Sequence, residues 1–150
     1  MPRTSEGEAV DANELANRVA HSMFEAEGTG PAWGIKIEEV RVDYARVSMR
    51  VRPDMLNGHG MAHGGMIFAL ADSAFAYVCN GANHASVAAQ ASIIFLGKAE
   101  EGETLVAEAM EVAREGRAGV TRVSVKTDDG RDVAEFTGYS RTLGGPVIDS

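Results

Sequence analysis

A single cysteine, Cys79, stands in 150 residues. That excludes an internal disulfide framework and a zinc-cysteine cluster, places any chemistry on other groups, and fits a reducing cytoplasm. Basic side chains are scarce as well: 14 Lys and Arg against 22 Asp and Glu leave a net charge of −8, and only 6% of residues are aromatic. A chain of this kind lacks the basic footprint that phosphate-backbone binding needs, so nucleic acid is not expected as a partner. No run reaches about 18 consecutive apolar residues. The polar start MPRTSEGEAV has no apolar segment before a small-residue cleavage site. Neither a membrane span nor a secretory signal is therefore expected, and the chain reads as one cytoplasmic domain long enough to bury a core.

The periodicity divides the chain into segments. Residues 1–10 are small, charged and non-periodic, and are expected to be a flexible end, as are residues 144–150. Between them, 11–143 reads as a single domain. From Ala12 to Glu27, Leu15, Val19, Met23 and Phe24 recur at helical spacing, and Gly28, Gly30 and Pro31 supply the stop. Trp33 to Val40 and Tyr44 to Val51 alternate as two strands of a hairpin. Pro53 to Ala62 is a Gly- and Asn-rich loop, and Met66 to Val78 is a helix apolar on nearly every face, which must be buried. Four more strands follow, Ser86–Leu96, Thr104–Arg114, Gly119–Thr127 and Val133–Thr142. The short turns between them imply an antiparallel meander, and the whole order is an α+β pattern in which one long helix covers a curved sheet.

Charge is missing from the middle of the chain. Residues 1–47 carry 5 basic and 9 acidic side chains and residues 97–141 carry 7 and 10, but the 43 residues from Met55 to Gly97 hold one formal charge, Asp72. It falls within the apolar helix. Burying an ionised carboxylate without partners costs several kcal/mol, and Asp is a mediocre helix-interior residue. A structural Asp paired with a distant basic group is the alternative. With no charge near it in sequence, Asp72 is the first candidate for chemistry.

The second feature is His63-Gly64-Gly65, directly before that helix. A helix N-terminus presents unpaired N–H groups and a partial positive charge, and glycine lets a ligand oxygen approach, which is the physics of an oxyanion hole. Tight packing at the glycines is the alternative. No phosphate-loop or dinucleotide pattern is present. His59 and His63 stand four apart but in a loop, with no Glu after His59, so no metal is expected. Ser73 has no helical neighbour His to activate it, and Cys79 lies in an apolar helix that disfavours a thiolate.

Eight residues separate Gly64 from Asp72, about 12 Å along one helix. A carboxylate that activates water must hydrogen-bond that water, which must in turn reach the carbon whose oxygen the Gly64 amide binds. If both serve one reaction, they come from different subunits of a two-fold dimer with two equivalent sites.

The run Met55-Leu56-Asn57-Gly58-His59, then His63-Gly64-Gly65, Leu70-Ala71-Asp72-Ser73-Ala74-Phe75-Ala76-Tyr77 and Asn80 resembles the hotdog-fold acyl-CoA thioesterases, in particular the phenylacetic acid degradation subgroup. The resemblance covers about residues 12 to 143. It implies a curved antiparallel sheet wrapped around a long central helix, homodimers with shared active sites that pair into homotetramers, acyl-CoA as substrate, and no cofactor. It makes Asp72 the catalytic carboxylate and the Gly64 amide the oxyanion donor, with Asn57 holding the water or thioester and His63 positioning the carbonyl. Gly65 and Ser73 become substrate contacts; some relatives use a Thr where this chain has Ala76. Coenzyme A is anionic, so Lys98, Arg114, Arg117, Lys126 and Arg141 at strand ends are the candidates for its phosphates, Lys98, Arg114 and Arg117 first. The implied reaction is hydrolysis of an aryl-acetyl or hydroxylated phenylacetyl thioester, by an Asp-activated water or an Asp nucleophile. A non-catalytic acyl-thioester binding module is the rival, and a hydratase a further one. Phe68, Phe75, Tyr77, Ile93 and Phe95 are expected in the core.

Overall fold

The computed structural model describes residues 5–149, with side chains from Asp11 onward. The first helix, α1 (Ser5–Ala26), starts well before the expected Ala12; residues 1–4 of the segment anticipated as a flexible end lie outside those described. Ala16, Val19 and Ala20 form its buried face. A short α2 (Thr29–Trp33) follows and ends on Gly34 in the left-handed conformation, φ 69°, so the first strand begins at Lys36 instead of Trp33. The strands are β1 (Lys36–Arg41), β2 (Tyr44–Arg50), β3 (Ser86–Phe95), β4 (Thr104–Glu115), β5 (Ala118–Thr127) and β6 (Asp132–Thr142), each within two residues of its expected span apart from that start. The central helix, α3 (Gly64–Cys79), takes in both glycines of the His-Gly-Gly run. Among the described residues no helix is long and apolar enough to cross a membrane.

All six strands form one antiparallel sheet in the order β1-β2-β4-β5-β6-β3. A simple meander is therefore not what forms. β4, β5 and β6 follow one another through tight turns, but β3 pairs with β6 at the edge, and residues 96–103 carry the chain across the end of the sheet to β4. That crossover passes the loop before α3: the Ala62 N–H donates to the Ala99 carbonyl at 2.8 Å, and Met61 bridges to Glu100.

One face of the sheet packs on α3, with Val47, Met49, Leu105, Ala107, Ala109, Val123, Val125 and Phe136 among the buried residues. The fit is closest at Gly138, where an added Cβ would sit 2.7 Å from the Phe75 ring. α3 is not buried all round, however. Phe68, Ala69, Asp72, Ser73 and Ala76, three and four residues apart, form a half-exposed stripe along it. Toward the C-terminus, Asn83 accepts from the Val147 and Ile148 N–H groups at 2.9 Å and donates to the Ile148 carbonyl.

Candidate active site

His63 ends the preceding loop in an extended conformation, and its Nδ1 accepts from the Gly65 N–H at 2.8 Å, capping α3. Accepting at Nδ1 puts the proton of the neutral ring on Nε2, which is left free to donate. The same bond engages the Gly65 amide, so Gly65 offers no second donor to a ligand. Gly64 is the first helical residue, and among the described residues its N–H meets no acceptor. An unpartnered amide at a helix N-terminus is a ready site for an oxygen carrying negative charge.

Asn57 shapes the loop that leads there. Its Oδ1 accepts from the His59 N–H at 2.9 Å and the Met61 N–H at 3.1 Å, which identifies the oxygen of the amide and leaves the Nδ2 hydrogens as donors. Asn57, Gly64 and Ile67 line a cavity of about 410 Å3 whose other wall is Phe95, Leu96 and Lys98 at the start of the crossover. Asn57, Gly64 and Lys98 are thus brought together within one protomer. The Lys98 ammonium stands 3.1 Å from Glu100 and is exposed.

Asp72 lies about two helical turns further along α3, on the half-exposed stripe. No donor reaches its carboxylate among the described residues, and burial alone pushes its pKa above the usual aspartate range. Its sequence alternative, pairing with a basic group from another strand, does not occur among the described residues. A carboxylate in this state is equipped to take a proton. The neighbouring Ser73 hydroxyl donates back to the Ala69 carbonyl at 2.9 Å, so its proton is committed to the helix.

Arg114 and Arg117 lie elsewhere. The register places Arg114 against Gly119 near the β4–β5 turn, whereas Phe95, beside Gly64, pairs with Ala134, which pairs with Val125 toward the opposite end of β5. The Arg114 guanidinium is 2.7 Å from Glu111 and faces a separate cavity of about 520 Å3 that reaches Cys79. Neither arginine joins Gly64 within one chain. Burial pushes the Cys79 thiol up to about 12, so it stays protonated at neutral pH.

Phe75 and Tyr77 are buried as expected, and Phe68 and Ile93 pack on the core while partly exposed. Phe95 differs: it is 52% exposed and walls the cavity beside Gly64. In sequence, a Phe at a strand end is indistinguishable from a core Phe. The one available sign was its position two residues before Gly97, where the strand stops.

Comparison with known proteins agrees with this geometry. Residues 59–134 match the family model described as the thioesterase superfamily. The chain is 40% identical over 129 residues to the acyl-coenzyme A thioesterase PaaI of Escherichia coli (strain K12), spanning 85% of this chain and 91% of that one. The structure of the E. coli PaaI protein from the phenylacetic acid degradation operon superposes with a TM-score of 0.88 over 90% of this chain and 98% of that one, at 38% identity. A hypothetical thioesterase protein of Streptococcus pneumoniae, solved with coenzyme A, superposes with a TM-score of 0.72 at 27% identity, over 75% of this chain and 90% of that one. A curved antiparallel sheet around a central helix, the free amide at the start of that helix and these similarities lead to one conclusion: the chain belongs to the thioesterase superfamily and is a thioester hydrolase with the hotdog fold.

Proposed function

We propose that the protein hydrolyses an acyl-CoA thioester to the free acid and coenzyme A, at sites shared between two protomers. The observation that carries the reading is Asp72: half-buried, without a partner among the described residues and raised in pKa, it is the only formal charge between Met55 and Gly97. The names of the E. coli and S. pneumoniae relatives point the same way.

In this reading the thioester carbonyl oxygen lies at the Gly64 N–H of one protomer, with His63 Nε2–H and the Asn57 amide donating beside it. Asp72 of the partner takes a proton from water as its oxygen bonds to the carbonyl carbon. The oxyanion that forms is held by the Gly64 amide, which interacts more strongly with it than with the ground-state carbonyl. Collapse breaks the C–S bond; the thiolate of coenzyme A leaves and regains a proton from Asp72. Attack by Asp72 itself, through a mixed anhydride, uses the same groups. A single turnover in oxygen-18 water followed by mass spectrometry of Asp72 tests for the anhydride, since label reaches the side chain only when water opens an anhydride at the Asp72 carbonyl.

The acyl group in this proposal is aryl-acetyl or hydroxylated phenylacetyl. The observation in its favour is similarity to a protein of a phenylacetic acid degradation operon. Lys98 is the proposed phosphate contact within the protomer that supplies Gly64, and Arg114 and Arg117 would serve a site only from the partner. Met110, Val112 and Tyr139 are exposed on the sheet face away from α3 and support a second interface, pairing dimers into a tetramer. Release of free thiol from a panel of aryl-acetyl and straight-chain acyl-CoAs tests the substrate. Faster turnover of straight-chain substrates would refute the aryl-acetyl assignment, and no turnover of any would favour a binding module.

A further inference from the structure

Gly64 does not have a positive φ, and the first residue of a helix accepts almost any side chain, so its backbone does not call for glycine. What a side chain there would meet is Phe95. A Cβ built on Gly64 lies 3.0 Å from Cζ of that ring, 3.4 Å from Cε1 and 3.6 Å from Cε2. Phe95 is the last residue of β3, 52% exposed, and walls the cavity that Asn57, Gly64 and Lys98 also line.

We infer that Phe95 is a positioning residue for the Gly64 amide: its ring seats against Gly64 and shields one side of the amide from water while forming the apolar wall against which the thioester lies. The inference rests on the proposed use of Gly64 as oxyanion donor. Keeping water off a donor strengthens its interaction with developing charge, so the ring acts mainly on the chemical step. The substitution Gly64→Ala keeps the N–H, and it harms the site only by displacing the ring.

The test is a double-mutant cycle on purified protein with an acyl-CoA the wild type hydrolyses, measuring kcat, KM and thermal midpoint for Gly64→Ala, Phe95→Leu and the pair, with Asp72→Asn as reference. Each single change is expected to lower kcat about tenfold or more, with a smaller change in KM and little change in midpoint. In the pair, the methyl group added by Gly64→Ala occupies space the ring has left, so the activity of the double variant exceeds the product of the two single losses by about tenfold. Losses that simply multiply, or a fully active Gly64→Ala, overturn the inference. If Asp72→Asn is inactive while the losses multiply, only the role of Phe95 fails. If Asp72→Asn turns over like the wild type, the catalytic reading itself fails.

Discussion

Asp72 carries two consequences that one substitution separates. If it is the general base, Asp72→Asn lowers turnover by about 10²- to 10⁴-fold with KM little changed, measured by thiol release. In the wild type, activity should fall as pH is lowered through a pKa above the ordinary aspartate range, and that limb should vanish in the variant. Stability runs the opposite way. The folded state holds the Asp72 proton more tightly than the unfolded chain, so ionisation opposes folding. This penalty is absent below the unfolded pKa, develops between the two values and is complete above the folded one. Asp72→Asn should therefore melt higher than wild type at pH 7, with the gap closing in acid below about pH 4. Asn57 offers a second separation. Asn57→Asp keeps an oxygen for the His59 and Met61 amides but loses the Nδ2 donors, so the fold should survive while activity falls about ten- to hundredfold. Asn57→Ala removes both functions and should also cost about 1–3 kcal/mol in chemical denaturation. Asp72 and the His-Gly-Gly run were legible because a lone charge in an uncharged stretch and a glycine pair before an apolar helix each break a local pattern. Phe95 breaks none: its role depends on where β3 ends in space.

Among the secondary-structure elements, boundaries were set by local chemistry and pairing was not. Glycines at the turns, Gly116 at φ 58° and Gly130 at φ 93°, mark the hairpins plainly in the sequence. Nothing local tells β3 to pair with β6, with β4 and β5 between them in the chain, when the connection to β4 over residues 96–103 is no longer than an ordinary loop. That long-range choice builds the cavity, since the crossover after β3 brings Phe95 and Lys98 to Asn57 and Gly64. The start of α1 was also hidden, because Ser5 to Val10 lack the apolar periodicity that packing would imprint. The fit of α3 on the sheet is tightest where Gly138 receives the Phe75 ring. Gly138→Ala should destabilise by about 1–3 kcal/mol by overpacking, with Asp72 chemistry retained in the folded fraction. Denaturation and kinetics on one preparation check both halves.

At the scale of the whole molecule, the acidity also has a place. The excess of Asp and Glu lies in the flanking segments, which leaves the stretch containing the site almost uncharged. If the proposed site is right, attraction for an anionic substrate is local, through Lys98 and the amide of Gly64, and KM should rise only modestly with salt. An exposed β3 edge with Val87 and Ile94 in water, and a half-exposed stripe on α3 carrying Asp72, both leave apolar surface for a second copy to cover. The geometry on α3 makes the dimer a chemical necessity in this account, because one helix holds Gly64 and Asp72 about 12 Å apart. Gly64→Pro deletes the N–H at a first helical position that accepts proline, after a His63 already extended as proline requires. Mixed in equal amounts with Asp72→Asn and allowed to exchange subunits, two inactive proteins should regain about a quarter of wild-type activity, since half the dimers are mixed and each has one intact site. A mixture that demonstrably exchanges subunits and stays as inactive as its components would contradict the shared site.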